Sequence, residues 1–135
     1  MRALQVAMDI YAEEIVAHYE HPHNKGRIDG ASASFHEFSP YCGDDLTLYL
    51  DISDGKVTDA KFDGSGCAIS VGSASMLTDL IKGKSVSEIV RMGPAQVIEM
   101  LGVDPGPVRL KCATLSLKAV HEAIKQYVKN GGGKT

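Results

Sequence analysis

Three cysteines and one aspartate are the side chains of this sequence whose types best suit metal chemistry. Cys42 and Asp44 are separated by a single glycine, Cys67 follows Gly64-Ser65-Gly66, and Cys112 follows a connection rich in proline and glycine. Soft thiolates and a carboxylate can bind zinc tetrahedrally, and four protein ligands of this kind can also hold a [2Fe-2S] cluster. The spacings of 25 residues from Cys42 to Cys67 and 45 from Cys67 to Cys112 are too long for a compact metal finger.

Each cysteine is expected at the boundary of a secondary-structure element. Cys42 should lie in a loop that enters a strand, with Asp44 close behind it. Cys67 should begin a helix, where unpaired backbone N–H groups and the helix dipole favour a thiolate. Cys112 is placed in the first turn of the last helix, where the same electrostatic argument applies. Boundary positions favour ligands over core side chains.

The alternative for each cysteine is a small buried hydrophobic residue, which is a common role for a free thiol. An odd number of cysteines, three, excludes a complete internal disulfide framework. In a reducing compartment they are better interpreted as thiols or thiolate ligands. Glycines beside Cys42 and Cys67 favour the ligand interpretation, because an exposed cofactor needs close approach of the backbone.

Composition limits the class of protein. A length of 135 residues predicts one domain, which we place at residues 1–130, followed by a flexible Gly-rich tail at 131–135. The 14 Lys and Arg residues against 17 Asp and Glu residues give a formal charge of -3, which disfavours nucleic acid as a partner. We find neither a membrane span nor a targeting peptide, and we therefore expect a soluble, cytoplasmic protein.

Hydrophobic periodicity predicts the elements that must position these ligands. Asp54-Gly55 predicts a hairpin turn between two strands, and Ser85 with Glu88 predicts a capping box. A third strand at Ser32 to Phe38 has a weaker pattern, because Phe35 and Phe38 do not alternate. The remaining predictions are helices at Asp9 to Glu20, Cys67 to Ile81, Pro94 to Leu101 and Arg109 to Val128, with strands around Leu46 to Ile52 and Val57 to Phe62.

Three histidines cluster where the first helix ends. His18, His21 and His23 could suggest a second metal site, but Pro22 redirects the chain between them. We interpret them as a solvated helix terminus.

Several motifs, in order along the chain, resemble the IscU/NifU N-terminal/SufU family of iron-sulfur cluster assembly scaffolds. The resemblance extends from about Tyr11 to Tyr127. It is carried by Tyr41-Cys42-Gly43-Asp44, Phe62 to Ser70, Ser73 to Met76, Lys82-Gly83-Lys84 and Arg109 to Leu115, together with His18-Tyr19, Pro22, Asn24 and Gly26.

The resemblance implies an α+β fold in which a three-stranded antiparallel sheet packs against several helices, with the metal site exposed at one end. It implies a non-enzymatic scaffold that builds a [2Fe-2S] cluster from iron and sulfur supplied by a cysteine desulfurase, and then passes the cluster to apo-proteins. Cys42, Cys67 and Cys112 would be the thiolate ligands, Asp44 the modulating carboxylate and Cys112 the persulfide acceptor. The sequence leaves open whether copies of the chain form a homo-oligomer.

The chain also departs from both branches of that family. Lys111 precedes the last cysteine, where the IscU branch has a histidine, and a protonated lysine cannot be a ligand. The SufU branch has a lysine there, which suggests that Lys111 pairs with Asp44 or a thiolate, but the long SufU insertion is missing. A zinc-bound sulfurtransferase is therefore the alternative function. The segment from Asp104 to Arg109 only partly resembles the site that a dedicated chaperone grips in the IscU branch.

Overall fold

A computed structural model describes residues 13–39 and 43–131 of the chain. It contains three strands and six helices within those ranges. The strands are β1 (Ala33–Ser39), β2 (Asp44–Ser53) and β3 (Lys56–Ser65). The helices are α1 (13–20), α2 (Ala68–Ile81), α3 (Val86–Val90), α4 (Pro94–Leu101), α5 (Pro107–Ala113) and α6 (Leu115–Lys129).

The strands form one antiparallel sheet in the order β1-β2-β3. Alternate side chains of β2 point into the core, so that Leu46, Leu48 and Leu50 are completely buried, as is Phe62 of β3. Burial of a side chain of this size contributes about 1.5–3 kcal/mol, so this face supplies much of the driving force for folding. Asp54 and Gly55 both have positive φ, as the predicted hairpin turn requires.

Helix α2 is the central helix of the fold, in contact with β3, α4, α5 and α6. Small side chains make this possible, because Gly72, Ser73 and Ala74 are buried in the middle of the helix. A methyl group on Gly72 would lie 2.9 Å from the carbonyl oxygen of Ile15, so α1 crosses α2 at close range. The first helix is therefore held against the body of the protein.

The predicted α+β class, with its three-stranded antiparallel sheet and long C-terminal helix, is confirmed. The weaker third strand is confirmed as β1, in which Phe38 lies on the exposed face and so breaks the alternation. The capping box of Ser85 and Glu88 forms in both directions at the start of α3. The helix predicted from Asp9 is observed over residues 13–20, and its first residues lie outside the described ranges.

The single helix predicted from Arg109 to Val128 is wrong. Two helices, α5 and α6, meet at Thr114, which has φ -92° and ψ -1°. The Thr114 hydroxyl donates a hydrogen bond to the Leu110 carbonyl oxygen at 2.8 Å. A threonine that binds the carbonyl four residues earlier tends to bend a helix, and hydrophobic periodicity carries no sign of this.

The domain boundaries stay predictions, because residues 132–135 and 1–12 lie outside the described ranges. No helix in the described part of the chain is long and apolar enough to cross a membrane.

Candidate metal centre

Three of the four predicted ligands converge at one end of the sheet. The donor atoms of Asp44, Cys67 and Cys112 all lie within 4.8 Å of one another. Cys42, the fourth predicted ligand, lies outside the described residues. Two thiol sulfurs and a carboxylate oxygen form a donor set that suits zinc and iron.

Strand pairing explains why Asp44 and Cys67 meet despite their separation in sequence. Strand β2 begins at Asp44, and its second residue, Asp45, pairs with Ser65 at the end of β3. Only Gly66 separates Ser65 from Cys67, which is the N-cap residue of α2, as predicted. The start of β2 therefore lies beside the start of α2.

Asp44 is completely buried and bound to the N-terminus of α2. Its Oδ1 atom accepts a hydrogen bond from the backbone N–H of Cys67 at 2.9 Å, while Oδ2 lies 3.9 Å from the Cys67 sulfur. A carboxylate at a helix N-terminus is stabilised by the helix dipole. One oxygen of Asp44 is thus committed to the protein, and the other faces the thiol.

Ser70 is a contact of this site that the sequence analysis did not single out. Its hydroxyl oxygen lies 3.1 Å from the Cys67 sulfur and 3.2 Å from the Cys67 carbonyl oxygen, to which it donates. The spacing of three residues after a cysteine at a helix start is a signal that could have found it, because this spacing brings side chains together on one face.

Gly66 is required by the close packing of the same site. A Cβ atom at this position would lie 2.6 Å from Asp44 Oδ1 and 2.9 Å from the Ser70 hydroxyl oxygen. Its backbone dihedrals are not in the left-handed region, so the need for glycine comes from space rather than from conformation.

Cys112 is buried near the end of α5 and not in the first turn of the last helix. The predicted position at a helix N-terminus is therefore wrong for Cys112 and confirmed for Cys67. Lys111 is exposed in the last turn of α5, the end at which a helix dipole favours positive charge. It lines a small cavity with Glu37, Ser39 and other residues.

An apolar cleft of about 480 Å³ adjoins the two described cysteines. Cys67 and Cys112 line it, and apolar side chains of α1, α2 and the segment before α5 complete most of its surface; Asp104 and Arg109 are the charged members. A larger groove of about 810 Å³ between α3 and α6 contains no cysteine. Donor atoms, rather than cavity size, locate the candidate centre.

The histidine segment differs from the prediction. His18 and His23 lie together with Asp79 of α2, and their potential ligand atoms are all within 4.8 Å of one another. His21 is exposed and lies outside this group. The interpretation as a solvated helix terminus therefore describes His21. His18 and His23 instead lie beside Asp79, which belongs to a helix distant in sequence.

Comparison with known proteins gives the family. The family described as the NifU-like N-terminal domain matches residues 10–132. The chain belongs to this family. A relative from Streptococcus pyogenes serotype M1, named iron-sulfur cluster assembly scaffold protein IscU, is 36% identical over 92% of this chain and 88% of its own length. A relative from Bacillus subtilis strain 168, named zinc-dependent sulfurtransferase SufU, is 35% identical over 85% of this chain and 89% of its own length.

Solved structures agree with the assignment of this NifU-like domain. A crystal structure described as a putative iron-sulfur cluster assembly scaffold protein for the SUF system from Fervidobacterium islandicum AW-1 has a TM-score of 0.73 and 27% identity. It covers 83% of this chain, which covers 94% of that one. The resemblance inferred from the cysteine motifs is confirmed, and the protein is a member of the iron-sulfur cluster assembly scaffold family.

Proposed function

We propose that this NifU-like domain assembles a [2Fe-2S] cluster on Cys42, Asp44, Cys67 and Cys112 and transfers it to apo iron-sulfur proteins. The convergence of Asp44, Cys67 and Cys112 is the observation that carries the proposal. Cys42 supplies the fourth ligand, because it lies two residues before Asp44 in the sequence. The cluster is cargo rather than a resident cofactor.

A transferable cluster needs ligands that bind it adequately and then release it. Cys67 is exposed, so an acceptor can approach the cluster from this side. Asp44 is a hard oxygen ligand among soft sulfurs, and it also remains hydrogen-bonded to the backbone of Cys67. We infer that the aspartate is the first protein ligand to leave the metal.

Sulfur would arrive from a cysteine desulfurase as a persulfide. The Cys112 thiolate attacks the outer sulfur of the enzyme's persulfide, a new sulfur–sulfur bond forms, and the enzyme's cysteine leaves as a thiolate. The apolar cleft beside Cys112 is the route of approach. We propose Lys111 as a modulating residue, because its positive charge lies next in sequence to this thiolate.

Anaerobic reconstitution tests the proposed function. Ferrous iron, cysteine, a desulfurase and a thiol reductant, which converts the persulfide sulfur to sulfide, should give the visible absorption of a [2Fe-2S] cluster on the wild-type chain, and Cys67→Ala should abolish it. Ser65→Ala, an exposed neighbour outside the donor set, is the matched control and should form the cluster normally. Absence of cluster absorption on the wild type, or an unchanged spectrum in Cys67→Ala, would refute the proposal.

A zinc-bound sulfurtransferase is the second candidate function. Three donor atoms within 4.8 Å suit a single tetrahedral ion after a small contraction, and the Bacillus subtilis relative is named for this activity. In that case zinc would hold the site, and Cys112 would leave the metal to accept the persulfide. Zinc in sulfide-free protein favours this function, and iron with acid-labile sulfide favours the scaffold.

The proposed partners are a desulfurase and apo iron-sulfur acceptors, and the proposed compartment is the cytoplasm. The formal charge of -3 supports protein partners over nucleic acid.

A further inference from the structure

We propose that His18, His23 and Asp79 form a second metal site, which binds Zn²⁺ or a similar divalent transition metal and is separate from the cysteine centre. Two imidazoles and one carboxylate are a donor set that suits zinc, with a fourth position left for water. The proposal rests on the arrangement of these side chains alone and does not depend on the proposed cluster assembly.

The buried hydroxyl of Ser75 contacts the ring of His18 and the backbone of His23. It accepts a hydrogen bond from the backbone N–H of His23 at 2.7 Å and lies 2.7 Å from His18 Nδ1. With the proton on Nδ1, His18 donates to Ser75 and keeps the lone pair of Nε2 for a metal. Metal-binding histidines commonly have their other nitrogen held in this way.

Asp79 is oriented by neighbours as well. Its Oδ2 atom lies 2.5 Å from His23 Nδ1, and its Oδ1 atom accepts a hydrogen bond from the Asn24 side chain at 2.8 Å. Burial alone would raise the pKa of Asp79, but the hydrogen bonds from His23 and Asn24, with the nearby imidazoles, lower the pKa below its ordinary value. The Asp79 carboxylate is therefore held in place by two neighbouring side chains.

The distances fit one ion after small side-chain rotations. Ligands at about 2.0–2.1 Å from a tetrahedral zinc ion are roughly 3.3 Å apart. The donor atoms here lie within 4.8 Å of one another, so the wider pairs must close slightly. His23 Nδ1 and Asp79 Oδ2, which are 2.5 Å apart, must instead open and exchange their hydrogen bond, with loss of its proton, for bonds to the ion. The side chains of His23 and Asp79 are 56% and 44% exposed, which leaves them room to rotate and leaves an open side for a water ligand.

The second site cannot belong to the cysteine centre. Asp79 follows Cys67 by twelve residues along α2, which corresponds to about 18 Å of helix. A metal there would tie the end of α1 and the loop after it to α2. We therefore expect metal binding to stabilise the packing of the first helix.

Zinc binding to reduced protein under anaerobic conditions tests the site. Equilibrium dialysis should find one zinc equivalent fewer in His23→Asn than in the wild type, and the same loss in His18→Asn. His21→Asn is the matched control and should bind as much zinc as the wild type. The measured quantity is the zinc bound by the wild type minus the zinc bound by the variant. Zinc at the cysteine centre is the same in both and therefore does not affect the result.

Thermal unfolding of Cys67→Ala/Cys112→Ala gives a second measurement. Added zinc should raise its melting temperature, and the additional His23→Asn substitution should weaken the zinc affinity of this variant at least about tenfold. If the cysteine variant does not fold, the dialysis comparison is sufficient. Equal zinc binding by wild type and His23→Asn, or an equal loss in His21→Asn, would overturn the proposal.

Discussion

The carboxylate of Asp44 accepts a hydrogen bond from the backbone N–H of Cys67 at 2.9 Å. This bond joins the first residue of β2 to the N-cap residue of α2. A metal ion bound at this site would compete with the helix N-terminus for the same buried carboxylate. The fold thus limits how strongly Asp44 can hold a metal.

Substitution of Asp44 should slow release of the cluster. Asp44 is the protein ligand that binds a soft metal most weakly, and so it is the ligand that an acceptor's thiolate would displace first. Asp44→Ala removes this easily displaced ligand. We expect transfer to an apo-acceptor to be at least about tenfold slower, which corresponds to about 1.4 kcal/mol in the activation barrier. Stopped-flow transfer kinetics measure this rate.

Asp45→Ala is the control for that experiment. Asp45 is the neighbouring carboxylate, but its side chain is exposed and contacts His36. Transfer from this variant should proceed at the wild-type rate. Equal rates for Asp44→Ala and the wild type would contradict the role assigned to Asp44.

Gly66→Ala should damage the site by crowding. The new methyl group would lie 2.6 Å from Asp44 Oδ1, so the carboxylate or the backbone has to move. Overpacking of this kind typically costs about 1–3 kcal/mol in the free energy of unfolding. Chemical denaturation and metal titration should both show the change, with metal affinity reduced about tenfold or more.

Gly93→Ala provides the comparison for Gly66→Ala. A Cβ atom on Gly93 would find its nearest neighbour at 3.8 Å, so nothing has to shift. Gly93 is the N-cap residue of α4, and the loss of stability should stay below about 1 kcal/mol. Unchanged metal affinity in Gly66→Ala would show that the close contact with Asp44 is unimportant.

The hairpin, α2 and the start of α3 could be predicted from the sequence because their signals are local. Asp54-Gly55 provides the turn, and Ser85 and Glu88 bind each other's backbone across a single turn. The break at Thr114 was missed because a threonine in a helical pattern can either leave the helix straight or bend it by binding the carbonyl four residues earlier. Tertiary packing selects between these two outcomes.

The two groups of potential metal ligands show the same limit for contacts between distant segments. The cysteine centre was predicted from motifs that resemble a family, since spacing alone could not bring Cys67 to Cys112. The group of His18, His23 and Asp79 has no such motif. The two histidines reach the aspartate because α1 crosses α2 at Gly72 and because the His23 backbone binds Ser75 of α2. Sequence periodicity predicts local secondary structure but not the contacts between distant segments.

Ser70→Ala should weaken metal binding without disturbing the ligands themselves. The Ser70 hydroxyl lies 3.1 Å from the Cys67 sulfur, and it would turn from the Cys67 carbonyl oxygen to donate to the thiolate of a metal-bound Cys67. Loss of such a supporting hydrogen bond typically reduces metal affinity 10–100-fold. A competition titration with a chromophoric chelator measures the affinity.

Ser73→Ala is a matched control on the same helix. Ser73 is equally buried, yet its hydroxyl has no hydrogen-bond partner within residues 13–39 and 43–131. Its replacement should leave metal affinity unchanged and should not lower stability, because a buried unpaired hydroxyl is removed. A similar affinity loss in both variants would argue against a specific contribution of Ser70.

The ion pair of Lys118 and Glu37 should contribute to stability in a pH-dependent way. The pKa of Lys118 is raised above its ordinary value of 10.5, first by a hydrogen bond with Glu37 and second by the negative charge of Glu37. The contribution is therefore fully present below this ordinary pKa and is lost as the pH rises through the raised pKa of the folded protein. Lys118 is 68% exposed, so a coupling energy of only about 0.5 kcal/mol is expected at pH 7.

A double-mutant cycle with Lys118→Met and Glu37→Gln measures that coupling energy. Urea unfolding at pH 7 and again near the upper end of the stable range, where the lysine loses its proton, should give a coupling that falls toward zero. A coupling that stays constant across this range would mean that packing, rather than charge, joins the two side chains.

The metal and acid-labile sulfide content of anaerobically purified protein tests the central claim most directly. We predict equal amounts of iron and sulfide, two of each per cluster, with both lost in Cys67→Ala and retained in Ser65→Ala. Stoichiometric zinc without sulfide, or iron and sulfide that persist in Cys67→Ala, would contradict a transferable cluster on these four side chains.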